Sequence, residues 1–81
     1  MKVIITKKSN EIPVVITSEF IKLESAMKLA NIVYSGGEAK QVIIDGQVSV
    51  NGEVCTMRGK KLYDGDTFSF MGQSFVIVHE S

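Results

Sequence analysis

Ser35-Gly36-Gly37 is the stretch of this sequence best suited to holding an anion. Glycines in the first turn of a helix leave backbone amides open to an approaching phosphate, and the helix dipole adds favourable charge there. The same glycines would equally serve close packing of one helix on another. Lys40 stands one helical turn further on, and Arg58, Lys60 and Lys61 place three cations within four residues. Arginine grips a phosphate through two parallel hydrogen bonds while lysines act as point charges, so the set suits a nucleic-acid backbone better than a base edge. Taken alone, such a run is also an ordinary solvated loop. Lys22 and Lys28 add charge from the first helix. Tyr34 suits either stacking on an unpaired base or a hydrophobic staple at the helix start, and Gln41 offers a hydrogen bond to sugar or phosphate.

Catalytic chemistry has little to work with. His79 is the one histidine, and no second His or Cys stands at ligand spacing from it to make a metal site. Cys55 has no neighbouring histidine to activate it and reads as a packed or plainly exposed thiol. Asp64 and Asp66 flank Gly65 in a turn, where carboxylates bond local backbone amides, so Asp66 reads as a turn-former. No catalytic residue, metal or cofactor is expected.

The elements that must carry these groups are legible in part. Ser35 caps a helix, Glu38 reaches back to the Ser35 amide, Ala39, Val42 and Ile43 form its apolar face, and Gly46 supplies the left-handed stop. Val48 and Val50 alternate with polar neighbours as a strand, Asn51-Gly52 is a tight hairpin turn, and Val54 begins the return. Upstream, Leu23, Ala26, Met27 and Ala30 follow helical spacing over about Leu23 to Asn31, with Lys28 on the other face and Leu29 and Ile32 widening the stripe. Only a few residues part the two helices, so they should pack as a short angled pair. Lys2–Thr6 and Ile12–Thr17 read as two strands joined by a polar turn, with Pro13 confining the second to an edge or to a start beyond it. Arg58 to Asp66 reads as a loop rich in charge and glycine. Thr67–Met71 and Ser74–His79 flank Gly72-Gln73 as a second hairpin, in which Phe68 and Phe70 alternate with polar partners and Val76-Ile77-Val78 is the more buried run.

Composition sets the bounds. At 81 residues the chain is one domain, and a domain of this size buries only about 60% of its unfolded surface, which leaves no room for a large enclosed active site. Nine lysines and arginines balance nine acids, so any nucleic-acid surface must be a local patch. One cysteine, no signal peptide and no apolar run near the ~20 residues of a membrane span point to the reducing cytoplasm.

Residues 22 to 67 resemble the S4 domain, a small RNA-binding module whose pattern runs roughly Arg-Leu-Asp, Ser-Arg-x-x-Ala, Ile-x-x-Gly-x-Val-x-Val-Asn-Gly, then Gly-Asp. Here Lys22-Leu23-Glu24 stands at the first block, Ser35 and Ala39 at the second, Ile43, Gly46, Val48, Val50, Asn51 and Gly52 at the third, and Gly65-Asp66 at the last. Ser35 to Lys40 and Arg58-Gly59-Lys60-Lys61-Leu62 are similar to the free-standing bacterial S4-like proteins of the YaaA/YbcJ type. Gly36 replaces the usual arginine, which removes one expected phosphate contact.

The resemblance implies an α+β, S4-like (alpha-L) fold, with two short helices packed on a small, mostly antiparallel sheet. Residues 1–17 would be an N-terminal β extension and 18–81 the RNA-binding domain. It further implies a non-catalytic protein that grips structured RNA of the ribosomal or transfer class, possessing no attached catalytic domain and acting as an accessory factor, monomeric and off the membrane. The surface would comprise Lys22, Lys28, Tyr34, Ser35, Gly36, Gly37, Lys40, Gln41, Arg58, Lys60 and Lys61. The competing reading is a protein-interaction adaptor that keeps the frame without the RNA, using apolar strand edges to pair with a partner or a second copy. A β-grasp sulfur or ubiquitin-like carrier fails at the terminus, which reads His-Glu-Ser and not Gly-Gly.

Overall fold

A computed structural model describes residues 11–80. The expected strand at Lys2–Thr6 and the turn after it lie outside these residues. Nine elements follow in order: β1 (Ile12–Ile16), β2 (Phe20–Lys22), α1 (Leu23–Leu29), α2 (Gly36–Ile44), β3 (Val48–Val50), β4 (Glu53–Val54), β5 (Lys61–Tyr63), β6 (Thr67–Phe70) and β7 (Gln73–His79). The strands form a five-stranded sheet in the order β1-β7-β6-β3-β4 and a separate pair, β2-β5. All neighbours are antiparallel except β1 and β7. Two helices on a mostly antiparallel, mixed sheet is thus the α+β arrangement expected.

Alternation decides which side of the large sheet is covered. Val14 and Ile16 of β1, Phe75 and Ile77 of β7, Phe68 of β6, and Val48 and Val50 of β3 are buried, together with Leu23, Ala26 and Met27 of α1 and Ala39 and Ile43 of α2. Phe68 and Phe75 are cross-strand partners whose rings stack 4.8 Å apart. Leu62 ties the small sheet into the same core. β1 stands at the sheet's edge with Pro13 inside it, where the missing donor is tolerated. Of the run expected to be the more buried, Ile77 is enclosed while Val76 and Val78 are half-buried, so β7 alternates.

Both helices stop in the same way. At the end of α2, Gly46 N–H donates to Ile43 and Gln47 N–H to Val42, with Gly46 at φ 79°. At the end of α1, Asn31 takes the left-handed place at φ 62° and bonds Lys28, while Ile32 bonds Met27. Paired bonds of this kind satisfy carbonyls that the last turn leaves open.

Other expectations change as well. Leu29 is exposed, because it lies two residues past Met27, about 200° round the helix. Lys22 is the last residue of β2 and the N-cap of α1, in extended conformation, and not a helix residue. The stretch from Arg58 to Asp66 contains a strand, β5, which pairs with β2. The second hairpin turns on Met71 (φ 52°) and Gly72 (φ 82°), with Gln73 already in β7 opposite Phe70.

Candidate nucleic-acid interface

The basic residues after Gly59 owe their position to the β2–β5 ladder. Its register sets Phe20 opposite Tyr63, Ile21 opposite Leu62 and Lys22 opposite Lys61. The Lys61 ammonium stands 4.8 Å from the centre of the Phe20 ring, and Phe20 and Tyr63 lie 5.8 Å apart. Just before β5, the chain is held against the start of α1: Leu23 N–H donates to the Lys60 carbonyl at 2.8 Å and Glu24 N–H to that of Arg58 at 3.1 Å. A turn closed by Lys60 N–H to the Met57 carbonyl completes the loop. Lys22, Arg58, Lys60 and Lys61 are therefore brought together. Hydrogen bonds between described side chains engage none of their head groups.

A clasp further along the chain keeps β5 in place. Asp66 Oδ2 accepts from Tyr63 N–H at 2.7 Å, and Asn51 Nδ2 donates to Asp66 Oδ1 at 3.3 Å. Asn51 Oδ1 accepts from the Thr67 amide at 3.0 Å. Asp64 Oδ1 accepts from His79 N–H at 2.8 Å. Asp66 bonds a local backbone amide, as its turn setting suggested, whereas Asp64 reaches a distant one in β7. Cys55 is half-buried against the core, and its thiol faces the Met57 carbonyl at 3.7 Å. Among the described residues no cluster of three His, Cys, Asp or Glu could hold a metal ion.

The remaining candidates gather at the start of α2. Ser35 Oγ accepts from Glu38 N–H at 3.2 Å, while the Glu38 carboxylate accepts from Tyr34 N–H at 2.8 Å, one residue earlier than the expected Ser35 amide. A Cβ built on Gly36 would meet nothing within 4 Å, and one on Gly37 only the Ser35 hydroxyl at 3.8 Å. Helix packing therefore does not require either glycine. Both lower helix propensity without a steric reason, leaving the backbone of the first turn uncovered. Tyr34 is 97% exposed, which removes the staple and leaves its ring free in solvent. Lys40 and Gln41 are exposed, but the Gln41 amide already donates to Asp45 at 3.0 Å. Lys28 is exposed on α1, the helix that packs on α2 and stands between the two groups of candidates.

Sequence reasoning missed Phe20 and Tyr63. The signal was present as a mirrored pattern: Phe20-Ile21-Lys22 reads aromatic, aliphatic, lysine, and Lys61-Leu62-Tyr63 reads the reverse, as antiparallel partners would.

Comparison with known proteins adds to this geometry. The family model described as "S4 domain" matches residues 14–78. "Probable ribosome maturation protein RlbA" of Bacillus subtilis (strain 168) is 41% identical over 68 residues, 83% of this chain and 96% of that protein. The Escherichia coli (strain K12) protein YbcJ is 40% identical over 58 residues, 72% of this chain and 83% of that protein. The solution structure of E. coli YbcJ, whose title reports an alfa-L motif involved in RNA binding, superposes with a TM-score of 0.66 and 34% identity over 94% of this chain and 98% of that one.

Proposed function

This chain belongs to the S4 domain family, and from that premise we propose that it is a non-catalytic RNA-binding protein that recognises folded RNA by shape and phosphate position. The observation that carries the reading is the placing of Lys22. It sits directly across from Lys61, where like charges repel, and at the N-cap of α1, where the helix dipole disfavours a cation and its side chain makes no capping bond. Local stability would favour an acid at that position. A bound polyanion turns the same arrangement into an advantage, since each phosphate relieves the repulsion it meets.

The name of the Bacillus subtilis relative, a probable ribosome maturation protein, supports a role as a ribosome-associated accessory factor, with structured RNA of the ribosomal or transfer class as the target we propose. In this reading Lys22, Arg58, Lys60 and Lys61 hold one stretch of backbone. Ser35, Gly36, Gly37, Lys40 and Tyr34 meet another, and Lys28 lies on the helix between them. With about four to six phosphates neutralised, each contributes roughly 0.7–0.9 to the slope of log affinity against log salt.

Binding of the purified protein to folded bacterial RNA across a salt series tests this, with the variant Lys40→Ala/Arg58→Ala/Lys61→Ala alongside. The variant should bind more weakly, with a slope flatter by about two to three. Its melting temperature should barely move. Loss of the Lys61 contact with Phe20 costs about 0.5–1 kcal/mol, and relief from Lys22 offsets part of that. Equal slopes would remove this surface, and no binding at low salt would turn the search to protein partners.

A further inference from the structure

We propose that a groove beside β4 takes one unpaired nucleobase of an RNA whose backbone lies on the Arg58 loop, an assignment that rests on the RNA-binding reading and adds to it a preference for unstacked bases. The groove arises from topology. β4 is two residues long and ends the large sheet, with Val54 opposite Ser49. The chain then leaves the sheet and crosses to the start of α1. One end of this arch is pinned by Cys55 N–H to the Val48 carbonyl at 2.9 Å, the other by the Arg58 and Lys60 carbonyls that accept from α1. The space beside it, about 320 Å³, is lined by Val54, Glu53, Thr56, Met57 and Lys60 among others. Both ends being fixed, little ordering is needed on binding. The volume lies at the low end for small-molecule sites, about 300–1,000 Å³, which suits one nucleoside.

The lining fits that occupant chemically. Val54 and Met57 are 65% and 64% exposed, so two apolar side chains stand in water beside a cationic loop. A flat ring would cover them, and a polarizable thioether is a good neighbour for an aromatic face. Bases inside a duplex already have both faces stacked, whereas an unpaired base has a face to offer. The polar groups of the groove are of opposite sign at Glu53 and Lys60. Asn51, also at the groove, has its side chain engaged by Asp66 and Thr67. A nucleotide matches this polarity when its phosphate lies at Lys60 and an exocyclic amine donates to the Glu53 carboxylate, a pairing that cytosine offers and uracil does not.

The test uses the full chain and three RNA probes with one stem sequence: a hairpin with a cytosine loop, a hairpin with a uracil loop, and the stem as a closed duplex. Wild-type protein should bind the cytosine hairpin about tenfold tighter than the duplex, with the uracil hairpin between them. Met57→Ser, which removes the thioether without adding charge beside Arg58, should bring both hairpins down toward duplex affinity and leave duplex binding and melting temperature near the parent's. Glu53→Gln should abolish only the difference between the two loops. Salt-sensitive binding with equal affinity for all three probes would overturn the groove while leaving RNA binding intact. No binding to any probe would overturn both.

Discussion

At the scale of single residues, Gly36 offers the sharpest experiment. The S4 pattern has arginine at this place, and the structure has room for it, since a Cβ at Gly36 would touch nothing within 4 Å. Its backbone φ is not among the positive ones, so a side chain meets no strain there. Gly36→Arg should therefore fold with about equal stability, because replacing glycine gains up to about 1 kcal/mol of helix propensity and a cation at the helix start costs a comparable amount. It should also add one phosphate contact, steepening the salt slope by roughly 0.7–0.9 and tightening binding at low salt. Filter binding of the variant beside the parent reads both quantities; an unchanged slope would place this turn away from the RNA. Sequence alone left the glycines open between anion binding and helix packing because it does not show what surrounds a missing Cβ. It left Tyr34 open for a related reason, since a staple differs from a free ring only in what the ring touches.

Among elements, α2 was legible from end to end and the β2–β5 pair was not. The helix is specified locally: Ser35 and Glu38 cap it, Ala39 and Ile43 mark its buried face, and Gly46 ends it within the same dozen residues. β2 and β5 are three residues each, and their partners lie about forty residues apart in the chain, so neither shows a period long enough to read alone. Met71 hid the second turn because methionine carries no signal for a positive φ, which set the expected turn one residue late. The dependence of α2 on its stop gives a direct prediction. A valine at Gly46 would find only ordinary contact, with Val54 Cγ1 3.7 Å from its Cβ, so crowding is not the cost. The cost is φ 79°, which a β-branched residue resists by about 1–3 kcal/mol. Urea denaturation of Gly46→Val should show a loss of that size, and Gly46→Asn a much smaller one, since asparagine tolerates the left-handed region. Equal losses in the two variants would mean that space around Gly46, not φ, is limiting.

Taken as a whole, the molecule has zero net charge, and folding brings Lys22 to the three cations that Arg58, Lys60 and Lys61 already place within four residues. The core that makes this possible draws on β1, whose Val14 and Ile16 are buried with Phe75, Ile77 and Phe68. The family match beginning at residue 14 takes in most of that strand. We therefore infer one cooperative unit in which β1 is structural and not an appendage to a domain that starts at residue 18. A double variant, Val14→Ala/Ile16→Ala, removes apolar volume from the core, and substitutions of this kind cost about 2–5 kcal/mol for a large aliphatic residue. Small domains hold only about 5–15 kcal/mol in total, so the midpoint should fall sharply, in a single transition seen alike by helix signal and by tyrosine fluorescence. RNA affinity measured well below that midpoint should stay near the parent's, since neither residue reaches the basic loop. A separable N-terminal extension would behave otherwise: the helices would melt at the parental midpoint, and a chain shortened to residues 18–81 would unfold as cooperatively as the full one. If β1 closes the core as its register with β7 requires, the shortened chain instead exposes Phe75 and Ile77 beside the newly unpaired edge of β7 and gives no sharp transition.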